Sequence, residues 1–362
     1  MVPETSLPKL EALIRPAGSL VRPEDTAVLL NANARRVSRR MRRELGRVVP
    51  AENLYITHSL DEAEAAAQGI LARGYKRIVA GGGDGTLSLL MDHLCRAVEA
   101  APAGAHLDLP AIGVLKLGTG NALASHVGAG APRNDLPLLH DEAEAEAVGA
   151  LGVDVPLHLI EAAGRLAFFA GAGVDAMILN DYLAIKRRLR RHLARFGEGI
   201  VAYFGAAFGR TVPRLVTTAR SRPVVTITNL GRPAWRLSER GLPVGDPLPA
   251  GAVLHEGPAL MTSGATLPYY GAGMVMFPWA CDRAGHMQLR VANPPVSHIV
   301  AHLPDLWTGT YAHDSIQDFH VTHVRMEFDR PTPVQVAGDG EGWQESLELR
   351  VSEHTIPLIH LN

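Results

Sequence analysis

The sequence predicts an α/β domain followed by an all-β domain, and three observations support this prediction. Between residues 26 and 121, short apolar runs alternate with stretches of helical periodicity, as in a doubly wound parallel sheet. Glycine-rich segments directly follow some of these runs, at the position of phosphate-binding loops in such sheets. Beyond residue 150, apolar segments of strand length recur between glycine and proline turns, which indicates antiparallel β structure.

Changes in composition divide the chain into three parts. Residues 1–24 are rich in proline, lack periodicity and are predicted to form a tail. Residues 25–150 are predicted to form the α/β domain. Residues 151–362 are predicted to form the β domain, with its last strands free to return to the first domain. Within it, residues 181–210 have helical character and begin with a strongly basic run.

Each element of the first domain has its own signal. Strands are predicted at four short apolar runs, namely Thr26–Leu30, Leu54–Thr57, Arg77–Ala80 and Ile112–Leu115. Helices are predicted over 35–48, 59–73 and 87–98, with a further short helix after Asn121. The helix over 59–73 has the clearest ends, because Ser59 and Glu62 form a capping box and Gly74 is a typical stop.

The β domain is predicted from a series of apolar segments separated by glycine and proline turns. They are Leu166–Ala170, Val224–Ile227, Ala252–His255, Met287–Val291, Val321–Phe328 and Leu347–Val351.

Composition and charge exclude several classes of protein. The 362-residue chain has a formal net charge of -2, so no overall field recruits nucleic acid. Cys95 and Cys281 lack zinc-binding spacing and are expected to be buried thiols in a reducing compartment. No apolar run is long enough to span a bilayer, and the N-terminus shows no signal-peptide pattern. These features predict a cytoplasmic protein.

The first chemical motif is Gly81-Gly82-Gly83-Asp84-Gly85-Thr86, between a predicted strand and a predicted helix. Glycines at this position let backbone N–H groups approach a phosphate closely, and the helix dipole adds partial positive charge. Thr86 offers a hydroxyl group to a phosphate or to a metal-bound water. The Asp84 carboxylate would repel a phosphate unless a cation lay between them, so the motif predicts Mg²⁺. The segment is not a P-loop, because no Gly-Lys-Ser/Thr follows it.

Two other motifs are weaker when taken alone. Gly118-Thr119-Gly120-Asn121 also lies between a strand and a helix, and loops at the carboxyl ends of neighbouring parallel strands face one crevice. Both glycine loops are therefore predicted to bind the same triphosphate. Asp339-Gly340-Glu341 places two carboxylates around a glycine far downstream, a pattern that by itself is more typical of a solvated hairpin.

Together, these motifs make the sequence resemble the diacylglycerol kinase catalytic family, which includes sphingosine, ceramide and bacterial lipid kinases. The family's Gly-Gly-Asp-Gly-Thr corresponds to residues 82–86, its Gly-Thr-Gly-Asn to 118–121 and its Asp-Gly-Glu to 339–341. The resemblance continues through Val153-Asp154, 169–176 and 268–273, and so covers most of the chain.

The resemblance implies a nucleotide domain of the NAD kinase and diacylglycerol kinase type, a C-terminal β-sandwich and an active site between them. It implies ATP and Mg²⁺ as cofactors and a lipid hydroxyl as acceptor, with peripheral membrane contact and a possible homodimer. The residues implied to bind ATP are Asn31, Thr57, Gly82, Gly83, Asp84, Gly85, Thr86, Gly118, Thr119 and Asn121. The residues implied in the metal network are Asp84, Asp154 and Asp339, and those implied to contact the substrate are Asp154 and Asp175. Asp84 and Glu341 are implied to be catalytic, with Glu341 as the general base.

The sequence departs from the family pattern at several positions. Ser88-Leu89 stands where many members have Asn-Glu, and Ala122 stands where bacterial diacylglycerol kinases usually have Asp. Gly-Thr-Gly-Asn-Ala-Leu-Ala is instead similar to sphingosine kinases. The family's structural-metal turn is replaced by residues 282–286, so no structural metal is expected there. These departures leave the phosphate-binding motifs intact and leave the identity of the acceptor open.

Two other functions remain open. NAD kinases also use a Gly-Gly-Asp-Gly loop, and a non-catalytic sensor of the same fold would bind nucleotide or lipid without turnover. Retention of Asp84, Asp154 and Glu341 favours an enzyme. The basic residues at 186–195, followed by the apolar residues 200–204, are the expected contact with a lipid surface, with a solvated helix as the alternative.

Overall fold

A computed structural model of the protein describes residues 23–34, 37, 43, 45, 46, 49–102, 107–118, 120–141, 145, 146, 150, 155–180 and 222–361. Most of the helix predicted over 35–48, and the basic segment at 186–195, lie outside the described residues. Thr119 and Asp154 also lie outside them.

The N-terminal half is a parallel sheet with helices packed against it. Its strands are β1 (Thr26–Asn31), β2 (Leu54–Thr57), β3 (Arg77–Gly82) and β4 (Ala111–Lys116), in the order β2-β1-β3-β4. Its helices are α1 (Leu60–Ala72), α2 (Asp84–Glu99), α3 (Ala122–His126) and α4 (Pro132–His140). Every neighbouring pair of these strands is parallel, which confirms the predicted sheet.

The ends of α1 follow from local hydrogen bonds. The Ser59 side chain accepts a hydrogen bond from the Glu62 backbone N–H at 3.2 Å. The Glu62 carboxylate accepts one from the backbone N–H of His58 at 2.7 Å, one residue earlier than in the usual capping box. Gly74 follows the helix at a φ of 69°, a left-handed conformation that suits glycine. The predicted start and stop of this helix are therefore confirmed.

The C-terminal half consists mainly of antiparallel strands. They are β5 (Val155–Ala162), β6 (Arg165–Ala167), β7 (Phe169–Gly173), β8 (Val224–Asn229), β9 (Trp235–Leu237), β10 (Val253–Pro258), β11 (Met261–Ala265), β12 (Met287–Ala292), β13 (Ile316–Val321), β14 (His323–Val336) and β15 (Asp339–Leu358). The helices are α5 (described over 174–180), α6 (Val296–Ala301) and α7 (Leu303–Thr308). The predicted strand at 166–170 is in fact parts of two strands, because the chain bends between β6 and β7.

Strand β14 joins the two layers of this half. Its residues Val324–Phe328 pair with β8, whereas Val334–Val336 pair with β7. Between these two stretches, the register of β14 with β15 shifts. The apolar side chains of both layers, such as Val225, Leu289 and Met326, pack in one buried core. The result is a β-sandwich, as the family resemblance implies.

The two halves meet along the last strand and through a shared core. β15 pairs antiparallel with β14 and β5, and at Leu358 it pairs parallel with Ile112 of β4. The larger core contains Ile70 and Leu94 from α1 and α2 together with Phe168 and Phe277 from the C-terminal half. The carboxyl ends of β1, β2 and β3 also face the β half, because Asn31, Thr57 and Gly83 line one cavity together with Asp339 of β15.

Candidate active site

The first glycine segment connects β3 to α2. β3 extends through Gly82, Gly83 is the N-cap residue of α2, and Asp84 is the first helical residue. The helix thus begins three residues earlier than the predicted Leu87, because the first turn is polar and has no apolar period. Gly85 and Thr86 also lie in this first turn, where backbone N–H groups have no partner within the helix. The arrangement is that of an anion-binding helix N-terminus.

The second glycine loop packs directly on the first. A Cβ atom at Gly118 would lie 2.4 Å from the Gly83 Cα atom, so only glycine allows this contact. Asn121 fixes the loop from within: its Oδ1 accepts from the Gly118 N–H and its Nδ2 donates to the Gly118 carbonyl, both at 2.9 Å. Asn121 has a φ of 53°, a left-handed conformation that asparagine tolerates.

Asp84 lies where the two loops meet. Its side chain is buried, and its Oδ1 atom accepts a hydrogen bond from the Leu123 N–H at 3.2 Å. A Cβ atom at Gly120 would lie 2.4 Å from Asp84 Oδ2, so the second loop also closes over the carboxylate. Burial raises the pKa of Asp84, while backbone N–H groups of the second loop, chiefly that of Ala122, oppose this shift.

A cavity of about 700 Å³ lies between the glycine loops and the β half. The predicted site residues that line it are Asn31, Thr57, Gly83, Asp84, Gly85, Thr86, Asp175 and Asp339. Part of the opposite wall is apolar and consists of Phe169, Leu179 and Met274. The cavity therefore has a polar end at the helix N-terminus and an apolar wall on the β half.

The other predicted residues lie behind the cavity or beside it. Gly82, Gly118 and Asn121 are not among its lining residues, and the Asn121 side chain is engaged within its own loop. Thr119 and Asp154 lie outside the part of the chain that the structure describes. Glu341 does not line the cavity either, since its carboxylate is paired with Arg165.

The Asp339 and Glu341 side chains are brought together by the β14–β15 hairpin. Its turn residues Ala337 and Gly338 have φ values of 49° and 82°, which is typical of a two-residue hairpin turn. Arg165 donates from Nη1 to Glu341 Oε1 at 2.7 Å and from Nη2 to Asp339 Oδ2 at 3.2 Å. Asp339 itself lies next to Gly85, with its Oδ2 atom 3.2 Å from where a Cβ of that glycine would be.

A buried hydrogen-bond network joins Asp175 to this hairpin. Asp175 Oδ2 accepts hydrogen bonds from Ser263 Oγ at 3.0 Å, Tyr270 OH at 3.0 Å and Gln335 Nε2 at 3.2 Å. Gln335 Oε1 in turn accepts from the Gly338 N–H at 3.0 Å. Asp175 thus holds the side chains around it, and the network places Tyr270 and Gln335 at the cavity wall.

Sequence reasoning missed several residues of the site. Tyr270 lies in the 268–273 segment that carries the family resemblance, so that segment was a usable signal for it. Arg165 and Gln335 carry no local signal, because their partners lie far away in the sequence.

The residues present are compatible with a bound Mg²⁺. No group of three or more potential metal-ligating side chains occurs among the described residues. Mg²⁺, however, is usually bound by only one or two carboxylates, with phosphate oxygens and waters completing its shell. Asp84 and Asp339 supply two carboxylates to one cavity, and a cation would offset the cost of burying Asp84.

In the part of the chain that the structure describes, every helix is too short or too polar to cross a membrane.

Comparisons with known proteins support the same architecture. Residues 26–149 match the model of the diacylglycerol kinase catalytic domain, and residues 248–355 match that of the YegS C-terminal NAD kinase beta sandwich-like domain. Both parts of the predicted fold class are thereby confirmed. No curated protein matches the chain.

Two solved structures from Bacillus anthracis str. Sterne share the fold. One, a diacylglycerol kinase, has a TM-score of 0.57 at 14 % identity, and the match covers 92 % of this chain and 96 % of that one. The other, a candidate diacylglycerol kinase, has a TM-score of 0.59 at 16 % identity with the same coverage of both chains. At this level of identity, the likeness establishes the fold alone.

Proposed function

We propose that this chain, which belongs to the diacylglycerol kinase catalytic-domain family, transfers the γ-phosphate of ATP to the hydroxyl group of a lipid in the presence of Mg²⁺. One observation carries the proposal: the helix N-terminus with Asp84 and the hairpin with Asp339 face one cavity, and part of the remaining wall is apolar. A phosphate-binding end and an apolar end are the two features that such a reaction requires.

The nucleotide would bind at the polar end. Backbone N–H groups at the start of α2 would donate to its phosphate oxygens. The Thr86 hydroxyl is oriented to do the same. Its oxygen accepts from Asn31 Nδ2 at 2.9 Å, so its hydrogen is directed elsewhere and can donate to a phosphate. Asp84 and Asp339 would hold Mg²⁺, which neutralises charge on the transferring phosphoryl group.

The acceptor would enter from the β half, because the glycine loops occupy the other side. Its apolar part would contact Phe169, Leu179 and Met274, which line the cavity. Its hydroxyl group would approach the hairpin at Asp339. Glu341, which is held beside the cavity by Arg165, would accept the proton late in the transfer. A lipid alcohol has this combination of one polar end and an apolar remainder.

We further propose that the enzyme reaches its substrate by peripheral membrane contact through the basic residues at 186–195. Liposome co-sedimentation with and without anionic lipid tests this proposal. Binding that is stronger to anionic vesicles and decreases with salt is expected. Equal, salt-independent binding to both would contradict it.

Substitution of the central carboxylate tests the kinase proposal itself. Asp84→Asn, compared with the exposed control Asp246→Asn, is expected to lower phosphate transfer from labelled ATP by orders of magnitude while leaving the melting temperature unchanged. The acceptors to be offered are diacylglycerol, a sphingoid base, ceramide and NAD. Near-normal activity of Asp84→Asn would refute the metal role, transfer to NAD alone would indicate an NAD kinase, and nucleotide binding without transfer would indicate a sensor.

A further inference from the structure

The carboxylates of the β14–β15 hairpin share one cationic partner. Arg165 is the first residue of β6, and its guanidinium spans Asp339 and Glu341 with two separate N–H groups. The Arg165 side chain is 26 % exposed, against 24 % for Glu341 and 55 % for Asp339. A rigid planar donor of this kind fixes both the distance and the direction of two carboxylates at once.

The position of Arg165 is itself fixed by its neighbours. The turn before it, Ala163-Gly164, has φ values of 48° and 74°, as in a tight hairpin between β5 and β6. The next residue, Leu166, donates its backbone N–H to Asp92 Oδ1 at 2.8 Å and accepts from Ser88 Oγ at 2.9 Å. Ser88 and Asp92 belong to α2, the helix that begins with Asp84. The Arg165 backbone is therefore held by the same helix that carries the buried carboxylate of the cavity.

We infer that Arg165 is a positioning residue that holds Asp339 at the phosphate-binding end of the cavity and Glu341 directly beside that end. Without its positive charge, two adjacent carboxylates would repel each other and separate by rotation of their side chains. Glu341 would then lose the orientation that proton transfer from the acceptor requires, and Asp339 would lose its fixed place beside Gly85. The inference rests on the proposed function, since it assigns Arg165 to the same reaction.

Substitution of Arg165 by a neutral and by a charged residue tests the inference, with Arg350→Gln as the matched control. Arg350 pairs with the single carboxylate of Glu161 and has no contact with the hairpin acids. Like Arg165, it lines a second cavity that is distinct from the candidate active site. Arg165→Gln is expected to lower kcat by about 10- to 100-fold with a much smaller change in KM for ATP. Arg165→Lys is expected to restore only part of that loss, because lysine keeps the charge but not the two planar N–H donors. Arg350→Gln is expected to leave kcat within twofold of wild type.

Two further measurements separate a positioning role from a folding defect. Thermal melts should place the Arg165 and Arg350 variants within a few degrees of each other, because both remove partly exposed ion pairs. Hydrogen exchange of the hairpin peptide 337–344 should accelerate in Arg165→Gln and not in Arg350→Gln. If Arg165→Gln had normal kcat, or if Arg165→Lys were no more active than Arg165→Gln, the inference would be overturned. The proposed kinase function would not be affected, because the wild type would still be active. A wild-type protein inactive on every acceptor would overturn the proposed function and this inference with it.

Discussion

Contact between the two glycine loops is the feature of this site that is most sensitive to a single methyl group. A Cβ atom at Gly118 would lie 2.4 Å from Gly83 Cα and 3.0 Å from the Gly82 carbonyl oxygen, whereas ordinary contacts begin at 3.4 Å. Both neighbours are backbone atoms, so the clash cannot be relieved by turning a side chain. The Gly118 backbone is outside the left-handed region, and alanine can therefore adopt it. The whole effect of Gly118→Ala should thus come from pushing the loops apart by about 1 Å.

The expected consequences of Gly118→Ala follow from this displacement. Overpacking of a buried contact costs about 1–3 kcal/mol of unfolding free energy. A misplacement of about 1 Å between reacting groups lowers the rate by about 100-fold, so kcat/KM for ATP should fall by this factor. The assay is steady-state phosphate transfer at saturating acceptor, combined with urea denaturation.

Gly69→Ala is the matched control. Gly69 lies inside α1, and its added Cβ meets nothing within 4 Å. The substitution should stabilise the protein by about 0.5–1 kcal/mol and leave activity unchanged, because alanine loses less backbone entropy in a helix. If Gly118→Ala had the kcat/KM and stability of wild type, the close packing of the loops could not be what shapes the proposed phosphate site.

Three further predictions concern stability. Asp318→Asn should lower the free energy of unfolding by about 3–5 kcal/mol in urea melts, because Arg290 would keep a buried charge after losing its bidentate partner at 2.8 Å. The double variant Arg290→Met/Asp318→Leu should recover at least half of this loss. No recovery would argue that the loss does not come from the ion pair. Ser59→Ala should cost about 1 kcal/mol by removing the N-cap of α1, and a loss below the error of the urea midpoint would argue against this cap. Burial lowers the pKa of His126 from 6.5 to about 4. Between these pH values, His126 is therefore protonated in the unfolded chain and neutral in the folded chain. The free energy of unfolding should therefore fall by about 3 kcal/mol on acidification from pH 6.5 to pH 4, and His126→Gln should reduce this dependence on pH. If the variant kept the pH profile of the wild type, His126 would not be its source.

Local patterns predicted the four strands of the first half, but they did not predict helix α4 (Pro132–His140). The strand predicted at Leu54–Thr57 has the observed bounds, and the cap of α1 was visible in Ser59 and Glu62. The first turn of α2 was missed because Asp84, Gly85 and Thr86 are polar or lack a side chain, so no apolar period includes them. In the β half, periodicity indicated strands but not the bend between β6 and β7 or the length of β14.

The candidate site was only partly accessible from the sequence for a different reason. A motif consists of residues that are close together in the sequence, whereas the contacts that orient these residues involve partners that are distant in the sequence. Arg165 and Glu341 are separated by 176 positions, and Asp175 and Gln335 by 160. Whether Glu341 or Asp339 faces the cavity depends on these partners, and a motif that contains both acids cannot distinguish them.

Helix α2 explains how acids from the two halves can keep a fixed relation. Asp84, Ser88, Asp92 and Arg96 recur every four residues and so lie on one face of the helix. The first lines the cavity, and the other three bind the backbone of the β5–β6 hairpin at Leu166 and Gly164. Ser88, which stands where many family members have asparagine, therefore still supplies a side-chain anchor. Because Arg165 lies between those two anchored residues, a shift of α2 would carry Asp84 and the Asp339–Glu341 hairpin together, and their mutual geometry would be preserved.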